Sequence, residues 1–201
     1  TLYGAESAIP MAVSWLDGFC KDNDLIIPGL VAPKALTISF AEHWQKQTRT
    51  PWKIHMAQRV FQLDRVTEFS EAPGFLRKAT DKDMSTIARW LIGFHQEAID
   101  EDIRGEEMKR AQKMLDADRL YLWDNGQAVS MAASTRSTAN GISINAVFTP
   151  KEFRKQGYAS NCVANVCRIL LAQEYQFCSL FTDASNPTSN KIYQDIGFRE
   201  V

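Results

Sequence analysis

The order of strand and helix patterns in residues 75–198 constrains the fold most. A short strand pattern is followed by two helical patterns, three strand patterns, a helix, a strand and a last helix. The helical segments carry apolar residues at intervals of three and four, whereas the strand segments alternate or form short apolar runs. The order β-α-α-β-β-β-α-β-α predicts a mixed α/β domain, and Asn125-Gly126 between two adjacent strand patterns predicts a β-hairpin.

Residues 1–72 have a different pattern. Helical periodicity at 8–23 and 35–48 alternates with strand patterns at 25–32 and 52–66, which predicts a smaller N-terminal α/β half. The polar segment that follows interrupts both periodicities and ends in Pro73-Gly74. We therefore predict two parts, residues 1–72 and 73–201.

Composition excludes several classes of protein. Of the 201 residues, 45% are hydrophobic and 23% charged, as in soluble globular chains, and no apolar run is long enough to cross a bilayer. A formal net charge of -1 argues against nucleic acid as a partner. Four cysteines without a C-x-x-C pair and three scattered histidines give no metal-ligand spacing, so we expect no metal and reduced thiols in a cytoplasmic protein. The start at Thr1 has no features of a signal peptide, and we interpret it as trimmed.

The stretch TPKEFRKQGYASN, residues 149–161, places small residues where a helix begins. A helix N-terminus presents unpaired N–H groups and positive charge, so a diphosphate binds there when no bulky side chain intervenes. Gly157 and Ala159 remove that bulk, and Arg154 and Lys155 add positive charge. The alternative is an ordinary turn glycine beside solvated surface charges.

A second motif, NPTSNKIYQDIGF, follows the next strand. Asn186 before Pro187 is a normal helix N-cap and first-turn proline, and such a cap can also face a ligand. Tyr193 lies on this helix beside apolar residues, so it is either a core tyrosine or a positioned proton donor.

The two motifs, in this order, resemble the signature of the Gcn5-related N-acetyltransferase (GNAT) family over residues 74–201. The family's Gln/Arg-x-x-Gly-x-Gly/Ala pattern is similar to residues 154–159, and its Asn-x-x-small-x-x-x-Tyr…Gly-Phe segment is similar to residues 186–198. The resemblance implies a central mixed, mostly antiparallel sheet flanked by helices, with acetyl-CoA as co-substrate. It implies donor-binding roles for Val147, Phe148, Thr149, Arg154, Lys155, Gln156, Gly157, Tyr158, Ala159, Ser160, Asn186, Ser189 and Asn190. For residues 1–72 it suggests only the incomplete first half of some bacterial two-part members.

The resemblance also implies a role for Tyr193. Its hydroxyl, with a reference pKa of about 10, stays protonated at neutral pH and would protonate the departing CoA thiolate. The general base is less clear, because the strand carrying Ile142, Ile144 and Asn145 lacks the glutamate of many family members. Candidate bases are His95, Glu97 and Glu101, each of which has an alternative role as a surface or structural group. The acidic stretch 97–107 either attracts a cationic amine or is a solvated loop.

These observations predict an enzyme, an N-acetyltransferase that moves an acetyl group from acetyl-CoA to a primary amine. The alternative is a non-catalytic acyl-CoA-binding or sensing protein with the same fold. The expected partner is a small-molecule or peptide amine, with neither nucleic acid nor membrane involved. The sequence leaves the acceptor and the oligomeric state open.

Overall fold

The computed structural model describes residues 5–173 and 175–201. Thr1, the start of the sequence that we interpret as trimmed, lies outside the described residues. The chain divides into two compact units, one ending at His55 and the other beginning at Met56. This division lies upstream of the predicted boundary between residues 72 and 73, because the strand at 58–63 joins the sheet of the second unit.

The first unit is built on two helices, α1 (Ile9–Asp22) and α2 (Lys34–Thr48), which confirms both helix predictions. Its small core contains Ile9, Val13 and Phe40. The predicted strand at 25–32 is wrong, because Ile26 is 92% exposed and the segment forms neither helix nor strand. Pro28 and Gly29 interrupt its backbone, and the described part of this unit has no strand for it to pair with. The predicted N-terminal α/β half is therefore helical as far as the structure describes it.

The second unit contains a seven-stranded sheet. Its strands are β1 (Gln58–Leu63), β2 (Phe75–Lys78), β3 (Leu120–Asp124), β4 (Ala128–Thr135), β5 (Gly141–Phe148), β6 (Phe177–Asp183) and β7 (Arg199–Glu200). Their order across the sheet is β2-β3-β4-β5-β6-β1-β7, and every neighbouring pair is antiparallel except β5 and β6, which run parallel.

Helices cover both faces of this sheet. They are α3 (Met84–Ala98), α4 (Glu107–Asp116), α5 (Tyr158–Leu171) and α6 (Pro187–Asp195). Alternation along β3 separates two cores: Leu120 and Leu122 pack with α3 and α4, whereas Tyr121 and Trp123 pack with α5 and α6. The predicted order of elements from β2 to α6 is confirmed, as is the mixed, mostly antiparallel sheet. Among the described residues, no helix has the length and apolar character needed to cross a membrane.

Strand β1 is an integral part of the second unit. All six of its residues pair with β6, from Gln58 opposite Asp183 to Leu63 opposite Cys178. Phe61 and Leu63 are fully buried in the core under α5 and α6. Burying a Phe or Leu side chain contributes about 1.5–3 kcal/mol relative to exposure. The predicted long strand at 52–66 is thus shorter, and it belongs to the larger unit.

Candidate active site

A gap opens between the two parallel strands of the sheet. β5 and β6 pair only from Gly141 opposite Phe177 to Ser143 opposite Ser179, where the two serine hydroxyl oxygens are 2.9 Å apart. Within the described residues, no pairing continues beyond this point, although β6 stays paired with β1 as far as Asp183. The main chain in the second half of β5 can therefore pair with an extended ligand along this edge.

A β-bulge lies in β5 beside the gap. Ala133 pairs with Asn145 and Met131 with Phe148, so β5 carries one extra residue there. Ala146 has a φ of 49°, and its N–H donates a hydrogen bond to Oδ1 of Asn145 at 2.8 Å. Asn145 is exposed and stands on the strand where the sequence lacks a glutamate. No pattern in the sequence predicted this bulge.

Two helices begin at the end of the sheet where β5 and β6 end, and they are capped differently. In α6, Oδ1 of Asn186 accepts the N–H of Ser189 at 3.0 Å, which satisfies one of the free donors of the first turn. In α5 the N-cap is Gly157, with φ of 80°, and no side chain caps the helix. The first helical bond of α5 runs from Asn161 N to Gly157 O, so the N–H groups of residues 158–160 have no partner within the helix. This helix start is the better anion site of the two.

The charged residues before Gly157 have different surroundings. Arg154 donates through Nε to the carbonyl of Thr149 at 2.8 Å and through Nη2 to Glu97 at 2.7 Å. Lys155 and Gln156 are exposed, and Lys155 has a φ of 62°. Both can contact a ligand at this surface, whereas Arg154 would first have to leave Glu97.

The side chains of three predicted donor-site residues point elsewhere. Phe148 packs on α3, with its ring 6.4 Å from that of Trp90, and Thr149 Oγ1 lies 2.8 Å from the hydroxyl of the buried Ser130. Tyr158 is buried and its hydroxyl accepts a hydrogen bond from Asn125. Only the main-chain groups of these three residues are therefore available to bind a ligand. Val147, Ala159 and Ser160 are half-buried at the same end of the sheet.

Asn190, in the first turns of α6, carries an unpaired buried acceptor. Its Nδ2 donates to the carbonyl oxygens of Asp183 and Ala184 at 3.2 and 3.4 Å, and its Oδ1 has no partner. A buried carbonyl oxygen without a donor costs free energy unless a ligand supplies one. An amide N–H, such as the pantetheine arm of CoA carries, would satisfy it, so the residues present fit that co-substrate.

Tyr193 is 8% exposed, with its ring between Phe61 and Phe198 at centroid distances of 6.5 and 5.9 Å. Burial, and secondarily the nearby Cys167, raises the pKa of its hydroxyl well above the usual value. Tyr193 therefore stays protonated at neutral pH, as a proton donor must. The same burial also suits a core tyrosine, so geometry leaves both interpretations open.

The three candidate bases occupy two places. His95 Nδ1 lies 2.7 Å from Glu101, which also accepts from Arg110 at 2.9 Å. On α3, Gly93 lies against Phe148 and Glu97 bonds to Arg154, so both residues face the end of β5. His95 is two residues from each of them, and residues two apart on a helix point in nearly opposite directions. His95 thus faces away from that end of β5, whereas Glu97 lies beside it.

Arginines neutralise part of the acidic stretch 97–107. Arg110 pairs with both Glu101 and Glu106, and Arg104 pairs with Asp102. Arg110 lowers the pKa of Glu101 most, followed by His95, and Arg104 lowers the pKa of Asp102 to about 2. These carboxylates therefore attract an amine less than the sequence suggested.

The four cysteines are free and buried, as predicted. Burial raises the pKa of the Cys162 thiol to about 12, which makes it a poor nucleophile. In the part of the chain that the structure describes, no group of three or more His, Cys, Asp or Glu residues could hold a metal ion.

Comparisons with known proteins identify structures that share this fold. Residues 124–201 match the family model FR47-like protein. No curated protein matches the sequence significantly. An acetyltransferase of the GNAT family from Colwellia psychrerythraea covers 84% of this chain and 57% of its own, with a TM-score of 0.60 and 11% identity.

Two further solved structures each match about two thirds of this chain. The ribosomal-protein-alanine N-acetyltransferase from Brucella melitensis covers 63% of this chain and 85% of its own, with a TM-score of 0.54 and 14% identity. The aminoglycoside N-acetyltransferase AAC(6')-Iy in complex with CoA covers 66% and 91%, with a TM-score of 0.52 and 17% identity. Identities this low establish the fold alone. The chain spans less than two thirds of the length of the Colwellia protein.

The seven-stranded, mostly antiparallel sheet flanked by helices is the fold of solved GNAT-family acetyltransferases. The match of residues 124–201 to the FR47-like family model, together with this shared fold, supports assignment of the second unit to the GNAT family. The resemblance drawn from the two sequence motifs is confirmed.

Proposed function

We propose that this protein is an acetyl-CoA-dependent N-acetyltransferase whose acceptor is a primary amine. The observation that supports it most is the uncapped start of α5 at Gly157 beside the gap between β5 and β6. The start of α5 supplies N–H donors for a diphosphate, and the gap admits an extended arm that pairs with β5. Asn190 Oδ1 offers that arm a further acceptor.

The chemistry assigned to the chain is acyl transfer. The amine nitrogen of the acceptor attacks the thioester carbonyl carbon, the C–S bond breaks, and CoA leaves as a thiolate that Tyr193 protonates. The hydroxyl of Tyr193 is protonated at neutral pH, as a proton donor must be, and burial, which raises its pKa, also makes it a weaker acid than an exposed tyrosine. The proton lost by the amine passes to a base or to water, and Tyr193 then regains a proton from solvent.

Among the predicted bases, we favour Glu97, since it lies at the end of β5 that adjoins the donor site. Its carboxylate would also attract a protonated amine once Arg154 has moved to the phosphates. His95 is the poorer candidate because its ring is held by Glu101 on another side of α3. A water relay remains compatible with this arrangement.

A non-catalytic acyl-CoA-binding protein is the second candidate. The absence of a strand glutamate at Asn145 favours it, because the amide there is hydrogen-bonded to Ala146 and is not a base. Under either function, four buried free thiols suit a reducing compartment, and we propose the cytoplasm.

Calorimetric titration with acetyl-CoA, followed by a thiol-release assay over a panel of amines, tests the proposal. Tight binding with release of CoA thiol for at least one amine class supports the enzyme. Binding without release for amino acids, aminoglycosides, polyamines and peptide N-termini favours the sensing protein. No binding of acetyl-CoA contradicts both.

A further inference from the structure

A strap, residues 67–74, crosses the first turns of α5. Ser70 O accepts a hydrogen bond from Asn161 Nδ2 at 3.2 Å, and Phe69 lies under the guanidinium of Arg168 at 5.4 Å from its ring centroid. The strap is therefore packed on the helix whose start forms the donor site, although its polar sequence predicted a boundary between two parts of the chain.

Both ends of the strap are also fixed within the second unit. The N–H of Thr67 donates to Ile196 O at 3.1 Å, and Trp123 Nε1 donates to Pro73 O at 2.9 Å. Next to the donor site, the Ala72 side chain lies 3.5 Å from where a Cβ at Gly157 would stand. The strap thus forms a wall beside the start of α5.

Asn161 joins this wall to the donor-site loop. Its side chain is 1% exposed, and Nδ2 donates both to Ser70 O and to Gly157 O, the latter at 3.0 Å. Asparagine is a poor helix former, and its burial costs free energy unless it is hydrogen-bonded. An apolar side chain could fill the same space but could not make these two hydrogen bonds. The amide of Asn161 therefore has an effect beyond packing.

That effect follows from the planarity of the peptide bond. The carbonyl of Gly157 accepts from both the main-chain N and the Nδ2 of Asn161, so its direction is fixed twice. Gly157 O and Tyr158 N–H belong to one planar trans peptide and point in opposite directions. Fixing the carbonyl therefore fixes the first free N–H of α5, directed away from the helix.

We propose that Asn161 is a positioning residue for the diphosphate of the acetyl donor. It orients the Gly157–Tyr158 peptide and anchors the strap as a wall of the site. The inference rests on the proposed function and extends it to a residue outside the two family patterns at residues 154–159 and 186–198.

Two ligands and three variants test the inference. CoA contains the diphosphate, whereas S-acetylpantetheine lacks it. The affinity for CoA is measured by calorimetry and the affinity for S-acetylpantetheine by NMR titration. The melting temperature of each variant is measured as well. Asn161→Ala should weaken CoA binding about tenfold, as the loss of a well-placed charge-assisted hydrogen bond would. Binding of S-acetylpantetheine should change less than about twofold.

Two further variants separate positioning from stability. Asn165→Ala is the matched control: its Nδ2 donates to Asn161 O at 2.9 Å, one turn further along the helix. It should leave both affinities unchanged, whatever its effect on the melting temperature. Asn161→Ser retains a donor for the carbonyl four residues earlier and should recover much of the CoA affinity.

Equal losses for both ligands in Asn161→Ala, or no loss for either, would overturn the inference. The inference would also be overturned if Asn161→Ser bound CoA as weakly as Asn161→Ala does. If Asn161→Ala does not fold, the Asn161→Ser variant serves as the test. Wild-type protein that fails to bind CoA would instead contradict the proposed function.

Discussion

Arg154 and Glu97 form an ion pair that links the donor-site loop to the end of α3, with 2.7 Å between Nη2 and Oε2. Both side chains are partly exposed, at 37% and 42%. Such a pair contributes only about 0–1 kcal/mol, so a diphosphate can compete for Arg154. Binding of the donor would then release the Glu97 carboxylate.

Glu97→Gln should therefore strengthen CoA binding about two- to fivefold, because Arg154 no longer has to leave a carboxylate. Calorimetry at low salt measures the effect. Glu106→Gln, which removes an equal charge paired with Arg110, is the control and should leave the affinity unchanged. The same gain in both variants would indicate a general charge effect and contradict the competition.

Gly157→Val should weaken acetyl-CoA binding far more than it lowers the melting temperature. The backbone at φ of 80° strains a branched residue, and the side chain would stand where the diphosphate approaches. Gly105→Val is the control, with φ of 92° and open space around it. It should cost similar stability and no affinity. Unchanged affinity in Gly157→Val would remove the loop from the donor site.

Tyr193→Phe should bind acetyl-CoA normally, while kcat falls by roughly 10²–10⁴-fold, the scale for a lost general acid. Because burial raises the pKa of Tyr193, the wild-type rate should show no alkaline loss near the usual tyrosine pKa of about 10. Tyr121→Phe, at another buried tyrosine of the same core, is the control. Wild-type turnover in Tyr193→Phe would make Tyr193 a core residue only.

Phe61→Ala should destabilise the second unit by about 3–5 kcal/mol, because it leaves a cavity in the core under α5 and α6. Urea denaturation of the full chain measures this cost. Phe75→Ala, on the edge strand β2 where the side chain is 59% exposed, should cost much less. Equal small costs would mean that β1 is not packed in the sheet.

The Arg77–Asp83 pair should make stability depend on acid pH. Arg77 lowers the pKa of Asp83 from its usual 3.8 to about 2, and the N–H of Thr80 also donates to Asp83. The stabilisation is therefore complete above the unfolded pKa and is lost as the pH falls through the folded one.

Asp83→Asn should accordingly reduce the difference in unfolding free energy between pH 6 and pH 2. Urea denaturation at the two pH values measures this difference, because the range runs from above the unfolded pKa of Asp83 down to about its folded pKa. Asp81→Asn, in the same turn, is the control and should keep the wild-type difference. An unchanged pH dependence in Asp83→Asn would contradict the assigned pair.

The sequence predicted the elements from β2 to α6 because their periodicity is local, and it predicted the donor loop because Gly157 and Ala159 stand directly before a helical pattern. It did not predict the place of β1, since nothing within residues 58–63 records a partner at 178–183. Asn161 had one sequence signal, an asparagine inside an apolar helix pattern. The ion pair of Arg154 with Glu97 had none, because the two residues lie 57 positions apart.

The position of β1 between β6 and β7 also sets an order of events during folding. Arg59 of β1 bonds to Glu200 of β7, 141 residues later in the chain, so these contacts close a very long loop. During synthesis on the ribosome, β1 is made before both of its neighbours, β6 and β7. Until those strands are made, the apolar side chains of Phe61 and Leu63 have no sheet core in which to be buried. Such distant pairing slows folding and prolongs exposure to aggregation. The rate of folding should therefore be limited by the insertion of β1, the first strand of the sheet to be synthesised.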